Sequence, residues 1–79
     1  MGRRRPPSSK LDTFMLAHGL KPAQLARVAY VSRQHLMRVR TGEDDPSRHV
    51  MVRLMMACTL ILHRRVRLDE LFDLTDAGL

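Results

Sequence analysis

A chain of 79 residues can bury one small core but has no room for both a core and a deep active-site cleft, so we expect a single domain and disfavour an enzyme. Fourteen Lys and Arg residues against eight Asp and Glu residues give a net charge of +6, which favours a polyanionic partner, nucleic acid ahead of a membrane surface. The single cysteine, Cys58, excludes an internal disulfide and fits a reducing, cytoplasmic setting.

The opening stretch, MGRRRPPSSK, predicts a disordered basic arm over residues 1–9, because it has three arginines, two prolines and two serines with no apolar residue after Met1. It lacks the apolar segment of a signal peptide. No apolar run farther along reaches the ~18 residues that a membrane-spanning helix needs. We therefore expect a soluble protein with no membrane partner.

Two helices are predicted after the arm. The first covers residues 10–18, with Ser9 as its N-cap and Gly19 just past its end. The second begins at Pro22, whose missing N–H has no helical acceptor at that position, and it ends at Tyr30. The residues expected to be buried on these helices are Leu11, Phe14, Met15, Leu25, Ala26, Val28 and Ala29.

A third helix is predicted from the serine and glycine that bound the stretch VSRQHLMRVRTG. Ser32 is the N-cap, Val31 packs just before it, and Gly42 closes the helix. Leu36 and Val39 are the inward positions. The other side of this helix is crowded with long hydrogen-bonding side chains.

The second half of the chain predicts a long fourth helix and a fifth helix. Asp45 as a cap and Pro46 as the first helical residue mark the start of the fourth, which runs to about His63. Its apolar residues point nearly all round, so we expect a self-association surface. The segment RLDELFDL, stopped by Gly78, predicts the last helix, which makes five helices and no sheet.

Ala26 and Leu36 have the spacing expected when a short turn joins two helices that cross at close range. Only a small side chain, such as that of Ala26, fits at such a crossing. At these residues the sequence resembles the XRE family of Cro and lambda-repressor-like DNA-binding domains. The resemblance covers roughly residues 10–74 and rests on QLARVAYVSRQHLMRVRTG, the following Pro46, the long fourth helix and the DELF segment. It implies a compact, all-α, five-helix lambda-repressor-like domain over residues 10–79 with a central helix-turn-helix and C-terminal dimerisation helices.

The resemblance also implies that the third helix lies in the DNA major groove. The residues implied to read base edges are Ser32, Arg33, Gln34, Met37 and Arg38. Arg can bind guanine and Gln can bind adenine through paired hydrogen bonds, which supports this assignment independently. The residues expected to contact the DNA backbone are Lys21, Arg40, Arg48, Arg3, Arg4 and Arg5.

The chain departs from the family at the turn between helices two and three. The family most often has Gly where this chain has Tyr30, so this residue must accept an unusual backbone conformation. We expect the Tyr30 side chain to be half-buried at the turn rather than to stack on DNA. Lys21 is expected to replace the family's glutamine contact to a phosphate.

The expected function is a sequence-specific transcriptional regulator, a repressor that binds a near-palindromic operator as a homodimer in the nucleoid. The residues predicted at the dimer interface are Met55, Met56, Leu60, Leu62 and Phe72. One alternative is an antitoxin-like or phage-regulatory module whose fourth and fifth helices dock a partner protein. Another is a sequence-neutral architectural protein, and a basic helix can also be only a solvated face.

Catalytic and metal chemistry have little support in the sequence. The four histidines are scattered and form no ligand pattern with each other or with Cys58, which is expected in the core. No Ser, His and Asp grouping and no glycine-rich phosphate loop is present. We therefore expect neither an enzyme nor a bound cofactor.

Overall fold

The computed structural model describes residues 9–73. Over this range the fold is all-α with no strand, as the sequence predicted. Its five helices are α1 (Lys10–His18), α2 (Pro22–Ala29), α3 (Arg33–Thr41), α4 (Arg48–Leu62) and α5 (Leu68–Leu71). The predicted arm before Ser9 and the predicted stop at Gly78 lie outside the described residues.

Three serines fix where helices begin. Ser9, Ser32 and Ser47 each accept a hydrogen bond from the backbone N–H three residues later, at 3.1, 3.0 and 3.2 Å respectively. Such a bond gives a partner to one of the N–H groups that a helix start leaves open. The caps of α1 and α3 are therefore confirmed.

The predicted start of α4 is wrong. Ser47, in an extended conformation, caps the helix and Arg48 is its first residue, while Asp45 and Pro46 lie in the preceding loop. Ser47 lies only two positions after the predicted cap Asp45, and its hydroxyl accepts the Val50 N–H. An acidic cap followed by proline is a common start pattern, but here the serine directly before Arg48 supplies the cap.

The core lies where α2 packs on α3 and α4, and where α1 packs on α3 and α5. Its buried residues come from all five helices and two connecting segments; they are Leu11, Phe14, Met15, Leu20, Leu25, Ala26, Ala29, Leu36, Val39, Leu54, Ala57, Cys58, Val66 and Leu71. Val28 and Val31 pack half-buried against them. The inward positions predicted for α1, α2 and α3 are thus confirmed, except that Val28 is only partly covered.

Only one side of α4 is fully covered. Leu54, Ala57 and Cys58 are buried, whereas Met56 is 56% exposed and Leu60 is 66% exposed. The helix ends at Leu62, and His63 follows in the left-handed conformation with φ of 57°. The exposed residues form part of an apolar surface described below.

The last helix is shorter than the sequence suggested. It ends at Leu71, and Phe72 adopts extended backbone angles, so Phe72 is not a helical residue. Its first turn is closed by the Glu70 carboxylate, which accepts the Arg67 N–H at 2.9 Å. Among the described residues, no helix is long and apolar enough to cross a bilayer.

Candidate functional site

The outward face of α3 carries four of the five residues predicted to read base edges. Arg33, Gln34, Met37 and Arg38 are exposed at successive helical turns, while Leu36 and Val39 attach the opposite side to the core. Residues three and four positions apart lie on the same helix face. The sequence therefore places two cations, an amide and a thioether on one continuous outward surface.

The turn before α3 sets how this face is presented. Three residues, Tyr30 to Ser32, join α2 to α3, and Tyr30 has the left-handed backbone with φ of 60° that its position required. The Tyr30 and Val31 N–H groups donate to the Arg27 and Ala26 carbonyls at 3.2 and 3.0 Å. This pair of bonds is the usual closure of a helix that ends in a left-handed residue.

The prediction that the Tyr30 side chain is half-buried is wrong. The residue is 84% exposed, and Val31 packs against the core in its place. Ala26, 2% exposed, lies under the turn as the close approach of α2 and α3 requires. On α4, Arg53 donates to the Tyr30 carbonyl at 3.4 Å, which ties the turn to a third helix.

A shallow groove runs between α3 and the start of α2. Its volume is about 410 Å³, and its lining residues are Pro22, Arg33, Gln34, Leu36, Met37 and Arg40. The fold thus brings together three of the predicted base-reading residues with the first residue of α2. Ser32 precedes them as the N-cap of α3, with its hydroxyl oxygen accepting the His35 N–H.

Arg38 lies beside a carboxylate rather than in this groove. Its guanidinium is 4.0 Å from Asp44, and the His35 ring nitrogen Nδ1 is 3.8 Å from the same carboxylate. Both distances exceed the 2.7–2.9 Å of a charge-assisted hydrogen bond. The Arg38 side chain, 51% exposed, therefore keeps most of its capacity to bind another acceptor.

Arg40 is held inside the protein. Its Nε and one terminal nitrogen donate to the Asp12 carboxylate at 2.9 and 2.5 Å, and its side chain is 14% exposed. Its carbonyl accepts the Ser9 hydroxyl at 2.7 Å. Arg40 was predicted to contact the DNA backbone, but in this structure its charge is paired with Asp12. Asp12, the partner of Arg40, was not among the predicted site residues.

Two other residues that were predicted to contact the DNA backbone lie at helix starts. Lys21 is the N-cap of α2 and Arg48 is the first residue of α4, and both are exposed. Neither their side chains nor that of Arg33 form a hydrogen bond or ion pair with residues 9–73. Their charges are available to an anion. Arg3, Arg4 and Arg5 lie outside the described residues.

The predicted dimer residues separate into three locations. Met55, Met56 and Leu60 line one open groove on α4, whereas Leu62 packs half-buried against the core. Phe72 lines a different groove, with Ser9, Leu11 and Val39 among its neighbours. The structure therefore brings only three of the five together.

Cys58 lies in the core as predicted and is fully buried. Burial raises the pKa of its thiol from 9.0 to about 11, and the nearby Arg64 charge opposes that rise. No group of three or more His, Cys, Asp or Glu side chains able to hold a metal ion occurs in the part of the chain that the structure describes.

The chain was compared with protein-family models, with curated proteins and with solved structures, and none of them matches it.

Proposed function

We propose that this protein binds double-stranded DNA in a sequence-specific manner through the outward face of α3 and thereby regulates transcription, most simply as a repressor that occupies an operator. The observation that carries the proposal is the exposed row of Arg33, Gln34, Met37 and Arg38 on a short helix whose other side is anchored in the core.

The dimensions of α3 fit this role. With its side chains an α-helix is ~10–12 Å across, which fits the ~12 Å width of the major groove, and the nine residues of α3 extend ~13 Å along the helix axis. Arg33 and Arg38 can each donate two hydrogen bonds to guanine, and Gln34 can pair with adenine in the same way. The Arg33 side chain forms no hydrogen bond or ion pair with residues 9–73, so it has no such contact to break.

Phosphate contacts would set the position of the helix. Lys21 at the start of α2 and Arg48 at the start of α4 flank α3 in the chain, and both cations are exposed without internal partners among the described residues. The open N–H groups of a helix start add positive potential at the same places. Such contacts would fix orientation without reading sequence.

The expectation of a homodimer on a near-palindromic operator belongs to this proposal. Two-fold symmetry would place half-site centres ~34 Å apart or a multiple of that distance. The apolar groove on α4 is a surface that a second copy or a different protein could occupy, and its charges are considered below.

The proposal is tested by selecting random-sequence duplex DNA with the purified full chain at ~150 mM salt, where non-specific binding is weakened. We expect enrichment of a short motif, two-fold symmetric if the protein acts as a dimer. Binding without enrichment would contradict sequence reading and support an architectural role. Absence of binding would overturn the proposal altogether.

A further inference from the structure

The groove on α4 is an apolar surface with a basic border. Its apolar lining comes from α4 and from the segment that leads into α5; these residues are Met55, Met56, Leu60, Val66 and Leu68. Thr59, Arg65 and Arg67 complete the lining, and the groove volume is about 580 Å³. Flexible Met side chains adapt to the shape of an apolar partner, which suits such a surface to docking a helix.

Both charged residues that line the groove, Arg65 and Arg67, are cations, and the Asp69 carboxylate lies beside Arg67. Arg65 forms no side-chain hydrogen bond or ion pair with the described residues. Arg67 is paired with Asp69 at 2.9 Å, but its side chain is still 65% exposed. None of the residues that line the groove is Asp or Glu. The charge that this border can attract is therefore negative.

This charge arrangement discriminates between occupants. In a two-fold symmetric dimer the same patch meets itself, so an uncompensated cation on its border faces a border of the same sign. Arg67 is paired with Asp69, so the uncompensated charge is that of Arg65, which would face the same basic border on a second copy; like charges in contact disfavour association. A partner with carboxylates beside its apolar residues would instead place opposite charges together.

We propose that this groove docks an amphipathic helix of another protein that bears acidic residues beside its apolar face. Apolar side chains of that helix, at positions three or four apart, contact Met55, Met56 and Leu60, while its carboxylates lie against Arg65 and Arg67. The inference does not depend on DNA binding by α3, so the two proposals can fail separately.

The test uses two synthetic helical peptides of about 20 residues, long enough to form a helix in part when free. Both carry Leu at alternating spacings of three and four; one has Glu beside the Leu face, and the other has Lys at the same positions. Binding to the full chain is measured by fluorescence anisotropy at ~150 mM salt. We expect the Glu peptide to bind more tightly.

Three variants locate the binding. Arg65→Glu should weaken binding of the Glu peptide by about 3- to 10-fold and strengthen binding of the Lys peptide, because it reverses one charge on the border. Leu60→Gln should weaken binding of both peptides. Arg27→Glu makes the same charge change at an exposed residue of α2 outside the groove, and it serves as the matched control.

Several outcomes would overturn the inference. Equal binding of the two peptides, binding of neither, or equal effects of Arg65→Glu and Arg27→Glu would each do so. Sedimentation equilibrium on the same samples measures whether the protein associates with itself. A self-dimer that Leu60→Gln dissociates would show that a second copy occupies the groove.

Discussion

Asp12 and Arg40, 28 positions apart in the chain, form an ion pair at 2.5 Å that joins the first turn of α1 to the last turn of α3. Ser9 strengthens the same junction, because its hydroxyl accepts the Asp12 N–H and donates to the Arg40 carbonyl. One helix start therefore holds the end of the helix that we propose reads DNA.

Removing the Asp12 charge should destabilise the fold. Asp12→Asn leaves a mostly covered guanidinium without its anion, so we expect the free energy of unfolding to fall by about 1–3 kcal/mol. Urea denaturation measures this change. The double variant Asp12→Asn with Arg40→Gln is the control, since a real pair predicts that the second substitution adds little; additive losses would show that the two residues are not coupled.

The same substitution should alter DNA binding if α3 binds DNA as proposed. Asp12→Asn releases Arg40 for a phosphate, and one added phosphate contact makes log K more sensitive to log salt by about 0.9. A titration of binding between low and moderate salt gives the slope. In the unsubstituted protein, Arg40→Gln should leave the slope unchanged; a fall of about 0.9 would mean that Arg40 already contacts phosphate.

Arg33 and Lys21 should separate base reading from phosphate binding. Arg33→Ala should reduce the preference for the selected motif by about 1–3 kcal/mol, because a paired contact to one base is lost. Lys21→Ala should weaken binding to all sequences alike. Competition with motif and scrambled duplexes measures both effects, and an equal, sequence-independent loss for the two variants would contradict the role of Arg33.

Tyr30→Gly should raise stability. A side chain at φ of 60° costs about 1 kcal/mol, and the exposed ring gives little packing in return. We expect a gain of up to about 1 kcal/mol, visible as a Tm increase of several degrees. Gly42→Ala is the control in the opposite direction, because it puts a side chain on a left-handed residue. The added Cβ has no atom within 4 Å, so any loss of stability comes from the backbone conformation at φ of 85°. A lower Tm for Tyr30→Gly would mean that its ring does stabilise the turn.

The thiol of Cys58 should make stability fall at high pH. Because burial raises its pKa from 9.0 to about 11, the folded state holds the proton more tightly than the unfolded state does. This stabilisation is fully present below pH 9 and is lost as the pH rises through about 11, a change on the order of 2–3 kcal/mol. Urea denaturation from pH 8 to pH 11 of the wild type and Cys58→Ala isolates the effect. Parallel curves would exclude it.

Helix positions were largely predictable because their signals are local. Ser9 and Ser32 act within three residues of themselves, and the 3.6-residue apolar period identified most of the core. The start of α4 was predicted at Asp45 and Pro46, whereas Ser47 caps the helix two residues later, and both are local start patterns of the same kind. The backbone of Tyr30 was foreseen from its position, but the exposure of its ring depends on how Val31 fills the space below the turn.

The features missed from the sequence join distant segments. The pairing of Asp12 with Arg40 needs α1 and α3 to be placed side by side, and no periodicity within either helix encodes it. The same holds for the α4 groove, where Met56 and Leu60 meet Val66 across the turn after α4. Leu62 and Phe72 were grouped with them on apolarity alone, and the fold separates them.

The chain has one tyrosine and no tryptophan, and that tyrosine is Tyr30 in the turn before α3. Its ring is exposed to solvent while its backbone is fixed by bonds to α2 and α4. Tyrosine fluorescence from the unlabelled protein therefore arises at a single known place beside the proposed DNA-binding helix. A ligand that approaches this face would change that emission, so the molecule carries its own optical reporter.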